Sequence, residues 1–281
     1  MQNKFVRTDL ALDAREAFEG EIEGAELTEE AAAGCKITEL NITGQTAAGI
    51  LCKPVGKYLT LELDNFISRR EATFEAAANA VAQQLRKFDI IRNSATTLIA
   101  CLGNRKITPD AIGSLTADSI IVTRHLKSSM PQEFAAFSSV AVLRTGVLGT
   151  TGMESADTLK AVCDTVKPDC VIAVDALASS DIKRLCRTVQ ICDSGIAPGS
   201  GVGNNRAKLN RDTMGVPVIA MGVPTVIEAA AFSDVEEAAG LFVTPRNIDE
   251  LVASVSKLMA YSINLALHDG LTVADIDMLI E

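Results

Sequence analysis

Thr96-Thr97-Leu98-Ile99-Ala100-Cys101-Leu102, followed at once by Gly103-Asn104, is the stretch on which the fold turns. Its apolar residues fall on both parities, so neither face is left for water. That is the pattern of a strand covered on both sides, as in a sheet sandwiched between helices. Working outward, similar short apolar runs recur at Ser119–Thr123, Ser139–Leu143, Cys170–Val174, Thr188–Cys192 and Val216–Met221. The stretches Asp110–Thr116, Glu154–Val166 and Ser179–Leu185 between them read as helices. Upstream, Arg69–Phe88 carries Phe74, Ala77, Val81 and Leu85 at helical spacing, and downstream Ile248–Leu267 is a second amphipathic helix. The whole reads as α/β, with a mostly parallel sheet covered on both faces. Lys36–Thr43 and Lys57–Leu63 alternate with period two and predict a small N-terminal β element at its edge, while Leu27–Glu30 suggests a short helix. No repeat, low-complexity tract or dividing linker interrupts the chain.

Composition bounds the function. The 281 residues are 48% hydrophobic but only 4% aromatic, with no Trp, so the core is built from Ala, Val, Ile and Leu. This apolar content excludes a disordered chain. No apolar stretch approaches the roughly 18 residues of a membrane span. Lys4 and Arg7 are not followed by the apolar run of a secretory signal, so the cytoplasm is the expected location. A net charge of −10 argues against a broad nucleic-acid surface, leaving only a local basic patch around Arg206, Lys208 and Arg211. The seven cysteines lack zinc or redox spacing and read as small buried hydrophobes in a reducing compartment.

In an open α/β sheet, ligands bind beyond the carboxyl ends of the strands. Two carboxylates stand at such positions. Asp110 follows Thr108-Pro109, an N-cap and first helical residue in sequence, where the helix dipole favours an ionised carboxylate. Asp175 ends the run Val171–Val174, where burial makes an unused carboxylate expensive. Unequal surroundings of this kind push two pKa values apart and suit general acid–base work on a water molecule. Asp193-Ser194-Gly195 imitates the triplet of pepsin-like proteases, but those are all-β, and Asp193 reads as a turn residue. Pro198–Asn204 is Gly-rich without the Lys of a phosphate-binding loop, and Gly146–Gly152 is similar; both read as shaped loops beside a cleft. His125, after the run Ser119–Thr123, is a candidate base or metal ligand, and His268 reads as a surface or capping residue.

Taken in order, several segments resemble the germination proteases of spore-forming bacteria. These are Gly103-Asn104 with Thr108-Pro109-Asp110, Val122–Leu126, Gly149–Glu154, Lys167–Asp169, Ile172–Ala178, Pro198–Asn204 and Gly215–Val226. The resemblance runs from about Val6 to Ile227 and returns at Val243–Pro245 and Asn264–His268. It implies a three-layer αβα sandwich similar to that of hydrogenase maturation proteases. It implies an endopeptidase of atypical aspartic type that degrades small acid-soluble spore proteins at germination, in the forespore and spore core. Its catalytic aspartates would be Asp110 and Asp175. It also implies a homotetramer made as a zymogen, with residues 1–9 as propeptide, 10–281 as one peptidase domain, and cleavage between Asp9 and Leu10. Asn104, His125, Gly149, Asp193, Gly199, Ser200 and Gly201 are candidates to line the cleft. No metal, cofactor, direct nucleic-acid contact or membrane contact is expected. Two alternatives use the same loops: a metal-dependent maturation-type protease with Asp110, Asp175 and His125 as ligands, and a phosphate-binding module built on Pro198–Asn204.

Overall fold

Along Cys170–Ser179, Val171 and Ala173 pack into one cluster of buried side chains, while Ile172 and Val174 pack into another. That strand therefore has two dry faces, which is what its apolar run requires. The computed structural model describes residues 7–32, 34–63, 71–204, 206–233 and 238–280. Among these residues nine strands form one sheet: β1 (Ala25–Ala32), β2 (Cys35–Ile42), β3 (Gly56–Glu62), β4 (Thr96–Leu102), β5 (Ser139–Gly146), β6 (Cys170–Ser179), β7 (Thr188–Cys192), β8 (Val218–Glu228) and β9 (Phe242–Val243). Their order is β1-β2-β3-β7-β8-β6-β4-β5, with β9 also on β8.

The helices are α1 (Ala11–Glu16), α2 (Gln45–Leu51), α3 (Glu71–Leu85), α4 (Asp89–Asn93), α5 (Ile112–Thr116), α6 (Arg124–Ser129), α7 (Leu148–Thr151), α8 (Ser155–Val166), α9 (Arg211–Met214), α10 (Ile248–Leu267) and α11 (Val273–Ile280). Residues of α3 and α10 pack on the face that carries Ile99, Ile172 and Ile219. Residues of α8 and Met214 of α9 pack on the face that carries Leu98, Val171 and Val218. The molecule is thus a three-layer α/β/α arrangement. On the second face, α1 and α2 cover the antiparallel half through Leu40, Tyr58 and Ala220.

The parallel block expected from the sequence is β5-β4-β6-β8. The other half of the sheet is antiparallel, from β8 through β7, β3 and β2 to β1. The reason lies in the connection after β6. Ser180–Arg187 holds only a single 3₁₀ turn, Ile182–Arg184, and is shorter than the dozen or so residues that a parallel crossover needs. The helix expected at Ser179–Leu185 is therefore absent. The N-terminal β element continues the same sheet, because β3 pairs with β7. Leu27–Glu30, expected as a helix, lies in the edge strand β1, whose eight residues all pair with β2. Its side chains are mostly exposed on both faces, so no periodicity marked it.

Ser119–Thr123 forms no strand: Ser119 closes a 3₁₀ turn, Ala117–Ser119, and residues 120–123 join no ladder. Asn264 of α10 takes the place of a neighbouring strand: its Oδ1 accepts from the Ile121 N–H at 3.0 Å and its Nδ2 donates to Ser119 O at 2.8 Å. Asn264 is buried. Asn264→Leu leaves these backbone groups without partners and is expected to cost about 1–3 kcal/mol in chemical denaturation. A variant as stable as wild type would show that water replaces the amide. His268 is buried rather than superficial, its ring 5.3 Å from that of Phe137. All seven cysteines are free and all but Cys52 are buried, as small hydrophobes should be.

Candidate active site

Asp175 does not end its strand. β6 continues to Ser179, but its pairing with β4 stops at Cys101 and Val174. At Asp175 the strand keeps Gly222 of β8 on one side and has lost β4 on the other. Here the parallel strands part and the sheet opens a crevice at their carboxyl ends. The Asp175 carboxyl is buried, and its Oδ1 accepts from the Ala176 N–H at 3.0 Å.

Asp110 approaches from the β4–α5 connection. Thr108–Asp110 forms a 3₁₀ turn with Pro109 inside it. Thr108 does not cap that turn; its hydroxyl donates to Asp249 Oδ1 of α10 at 2.8 Å. Thr225 of β8 donates to Pro109 O at 2.7 Å, so the turn is tied to the sheet and to α10 together. The Asn104 N–H donates to Asp110 Oδ2 at 2.8 Å. Gly103 makes this approach possible: its φ is +90°, and a Cβ there would stand 2.0 Å from Asp110 O.

The two carboxyls differ in their surroundings. Burial pushes the Asp175 carboxyl well above the usual carboxylate range, and the Asp110 charge pushes it the same way. Burial also raises Asp110, but the Asn104 N–H opposes the shift. Burial thus opposes ionisation of both carboxyls, and more strongly at the fully buried Asp175.

Both line a cavity of about 460 Å³, together with Asn104, Gly149 and Gly199. The chain's own Asp9 also lines it. Asp9 lies along the extension of β6 beyond its pairing with β4, where its N–H donates to Ala178 O and Ala178 N–H donates to its Oδ2, both at 2.9 Å. Ser200 Oγ donates to Asp9 Oδ1 at 2.6 Å. Gly201 leaves the room, since a Cβ there would stand 2.1 Å from Asp9 Oδ2. Leu10 beyond it is fully buried. Residues 1–6 of the expected propeptide lie outside the described residues.

Two cleft candidates lie elsewhere. His125 is exposed on α6 and does not line the cavity. Asp193 Oδ1 accepts from the Lys57 N–H at 2.8 Å and secures the β3–β7 corner. The Asp110–Asp175–His125 ligand set is therefore not assembled. Among the described residues no group of three or more His, Cys, Asp and Glu is placed to hold a metal ion.

Comparison with known proteins decides the family. The profile of the germination proteases matches residues 6–238. The chain belongs to the germination protease family. The germination protease of Caldanaerobacter subterraneus is 38% identical, covering 98% of each chain. That of Clostridium tetani is 37% identical over 97% of this chain and 98% of its own. That of Bacillus licheniformis is 41% identical over 81% of this chain and 65% of its own. Among solved structures, a NiFe hydrogenase maturation protease from Thermococcus kodakarensis covers 62% of this chain and 96% of its own, with a TM-score of 0.38 and 21% identity. No helix among the described residues of this germination protease is long and apolar enough to cross a membrane.

Lys53 and Gln190 also meet Asp9 and carried no sequence motif. Gln190 had one signal, a polar side chain amid the buried strand Thr188–Cys192. Lys53 stands in the α2–β3 connection with nothing in its neighbours to mark it.

Proposed function

We propose that this germination protease is an endopeptidase of atypical aspartic type, made as a zymogen that removes Met1–Asp9 by cutting between Asp9 and Leu10. Its substrates are the small acid-soluble spore proteins, cut after acidic residues in the forespore and spore core, and the working form is a homotetramer. The observation that supports this reading is Asp9 lining the cavity that also holds the buried Asp175 and the half-buried Asp110. An acidic side chain met there by Ala178 N–H and Ser200 Oγ is a pattern for the residue before the cut.

In the mechanism, Asp110 as carboxylate takes a proton from a water molecule that attacks the Asp9 carbonyl carbon. Asp175, protonated, gives its proton to the Leu10 nitrogen as the C–N bond breaks. Each turnover leaves Asp110 protonated and Asp175 ionised; a proton then passes back to Asp175 to restore the starting form, and the pair titrates together. Activity needs Asp110 ionised and Asp175 protonated. The rate therefore falls as pH drops through the Asp110 pKa and falls again as pH rises through that of Asp175. Because Asp110 is itself raised, the acidic limb lies above the pH expected of a surface aspartate. A kcat profile that climbs steadily into alkaline pH would contradict the assignment.

The products test the reading. N-terminal sequencing after incubation with a purified small acid-soluble spore protein is expected to give mature enzyme starting at Leu10 and fragments whose cuts follow acidic residues. A mature N-terminus elsewhere, or an uncut substrate, would refute it.

A further inference from the structure

Asp9 lines two cavities. One holds Asp110 and Asp175; the second, of about 450 Å³, is lined by Lys53, Gln190 and Ser200. The Asp9 carbonyl oxygen accepts from Lys53 Nζ at 2.9 Å and from Gln190 Nε2 at 3.4 Å. Lys53 Nζ also donates to Thr8 O at 2.9 Å, and Gln190 Oε1 accepts from the Ala11 N–H at 2.7 Å. One ammonium and one amide thus grip the backbone on both sides of the Asp9–Leu10 bond.

We propose that Lys53, assisted by Gln190, is a catalytic residue that stabilises the oxyanion formed on the scissile carbonyl. This rests on the reading that Asp9–Leu10 is cut by the aspartate pair. The carboxylates line the first cavity, from which the water comes, while the donors to the carbonyl oxygen line the second. As the water oxygen bonds to the carbonyl carbon, the π pair moves to the oxygen, beside the Lys53 ammonium and the Gln190 N–H. Asp110 takes the water proton. The pair returns to re-form C=O, the C–N bond breaks, and Leu10 N takes the Asp175 proton. Lys53 keeps its own proton throughout. Donors fixed where charge develops act most strongly in a site with little water. Burial pushes the Lys53 ammonium below its usual pKa, so it is poorly solvated and a stronger donor. Both carboxyls are thereby left free for the water and the leaving nitrogen.

The test uses full chains of wild type, Lys53→Met, Lys53→Arg and Asp175→Asn. Self-processing is followed by intact mass. Each chain, trimmed in trans by a trace of mature wild type, is then assayed for kcat and KM on a peptide copying Arg7–Asp13. Lys53→Met is expected to lower kcat about 10²–10³-fold, with KM within a few-fold of wild type. Lys53→Arg, which keeps a charged donor, is expected to recover part of the loss. If Lys53→Met fails to melt cooperatively, Lys53→Gln carries the same comparison. Lys53→Met at the wild-type kcat, or with only KM changed, overturns the proposal: Lys53 would then merely hold the segment. The Asp175→Asn arm reports on the aspartate reading separately. If that chain processes normally while Lys53→Met still loses kcat, the aspartates are misassigned and the oxyanion role stands.

Discussion

Asp175→Asn is expected to process itself and to cut substrate about 10²–10⁴-fold more slowly than wild type, with its fold intact. The amide keeps the size of the carboxyl but has no acidic proton to give the leaving nitrogen. General acid–base groups contribute roughly 10²–10⁴-fold. Asp110→Asn removes the base and is expected to fall into the same range, and the double variant should be little worse than either single one, because the two act as a unit. The same substitution has an opposite effect on stability. The Asp175 pKa is ordinary in the unfolded chain and raised in the folded one, so the folded state binds more protons between the two values. The native protein therefore loses stability as pH rises through that window. Asn does not ionise, so Asp175→Asn should melt above wild type at neutral pH, and the difference should shrink once pH drops below the ordinary carboxylate range. Equal activity in wild type and both single variants would end the aspartate assignment; equal melting at every pH would show that Asp175 is better solvated than its burial implies.

The second large effect is structural. Asp13→Ala is expected to cost about 3–5 kcal/mol, because it breaks a buried ion pair and leaves a guanidinium behind. The Asp13 side chain is fully buried and pairs with Arg184, itself 9% exposed. Asp13 Oδ2 also accepts from Thr8 Oγ1 at 2.7 Å, Ser179 Oγ at 2.8 Å and Ser180 N–H at 2.6 Å. Arg184 makes a second, two-pronged bond to Glu16 at 2.7 and 2.8 Å. Burial alone would lower the Arg184 pKa, but Glu16 and Asp13 outweigh it, so the charge persists. The cluster joins the N-terminal segment to Ser179 at the end of β6, one residue beyond Asp9's partner Ala178, and to the loop that follows. Its loss should therefore slow processing as well as destabilise the chain. Urea denaturation reads the first effect as a lower midpoint at unchanged slope. A loss below about 1 kcal/mol would mean that Glu16 and water satisfy Arg184 alone.

The legible parts of the fold were those whose apolar pattern is continuous, as in a strand covered on both faces, or helical in period. β4, β7 and α10 lie where the apolar patterns of Thr96–Leu102, Thr188–Cys192 and Ile248–Leu267 place them. What escaped was set by partners distant in sequence. β1 is an edge strand with no buried face to betray it. Ser119–Thr123 has the composition of a strand, but an asparagine some 140 residues later satisfies its backbone. The antiparallel half of the sheet follows from the length of one connection rather than from any strand's composition. At the site, Asp110 and Asp175 were legible because a carboxylate beside a buried strand is chemically conspicuous. Ser200, a cleft candidate by its Gly-rich loop, does meet Asp9, but the other contacts there were not legible, because Lys53 and Gln190 are ordinary residues until the fold assembles them round one segment. His125 was conspicuous in sequence and lies outside the cavity, since a solvent-facing histidine and a catalytic one look alike in a chain.

The central claim, that the Asp110–Asp175 pair cuts the chain's own Asp9–Leu10 bond, is tested most directly by acidified, concentrated incubation of wild type beside Asp110→Asn and Asp175→Asn, read by intact mass. The account predicts that wild type alone loses Met1–Asp9. Loss of the same segment by either Asn variant at the wild-type rate, or a requirement for added divalent metal, would contradict it.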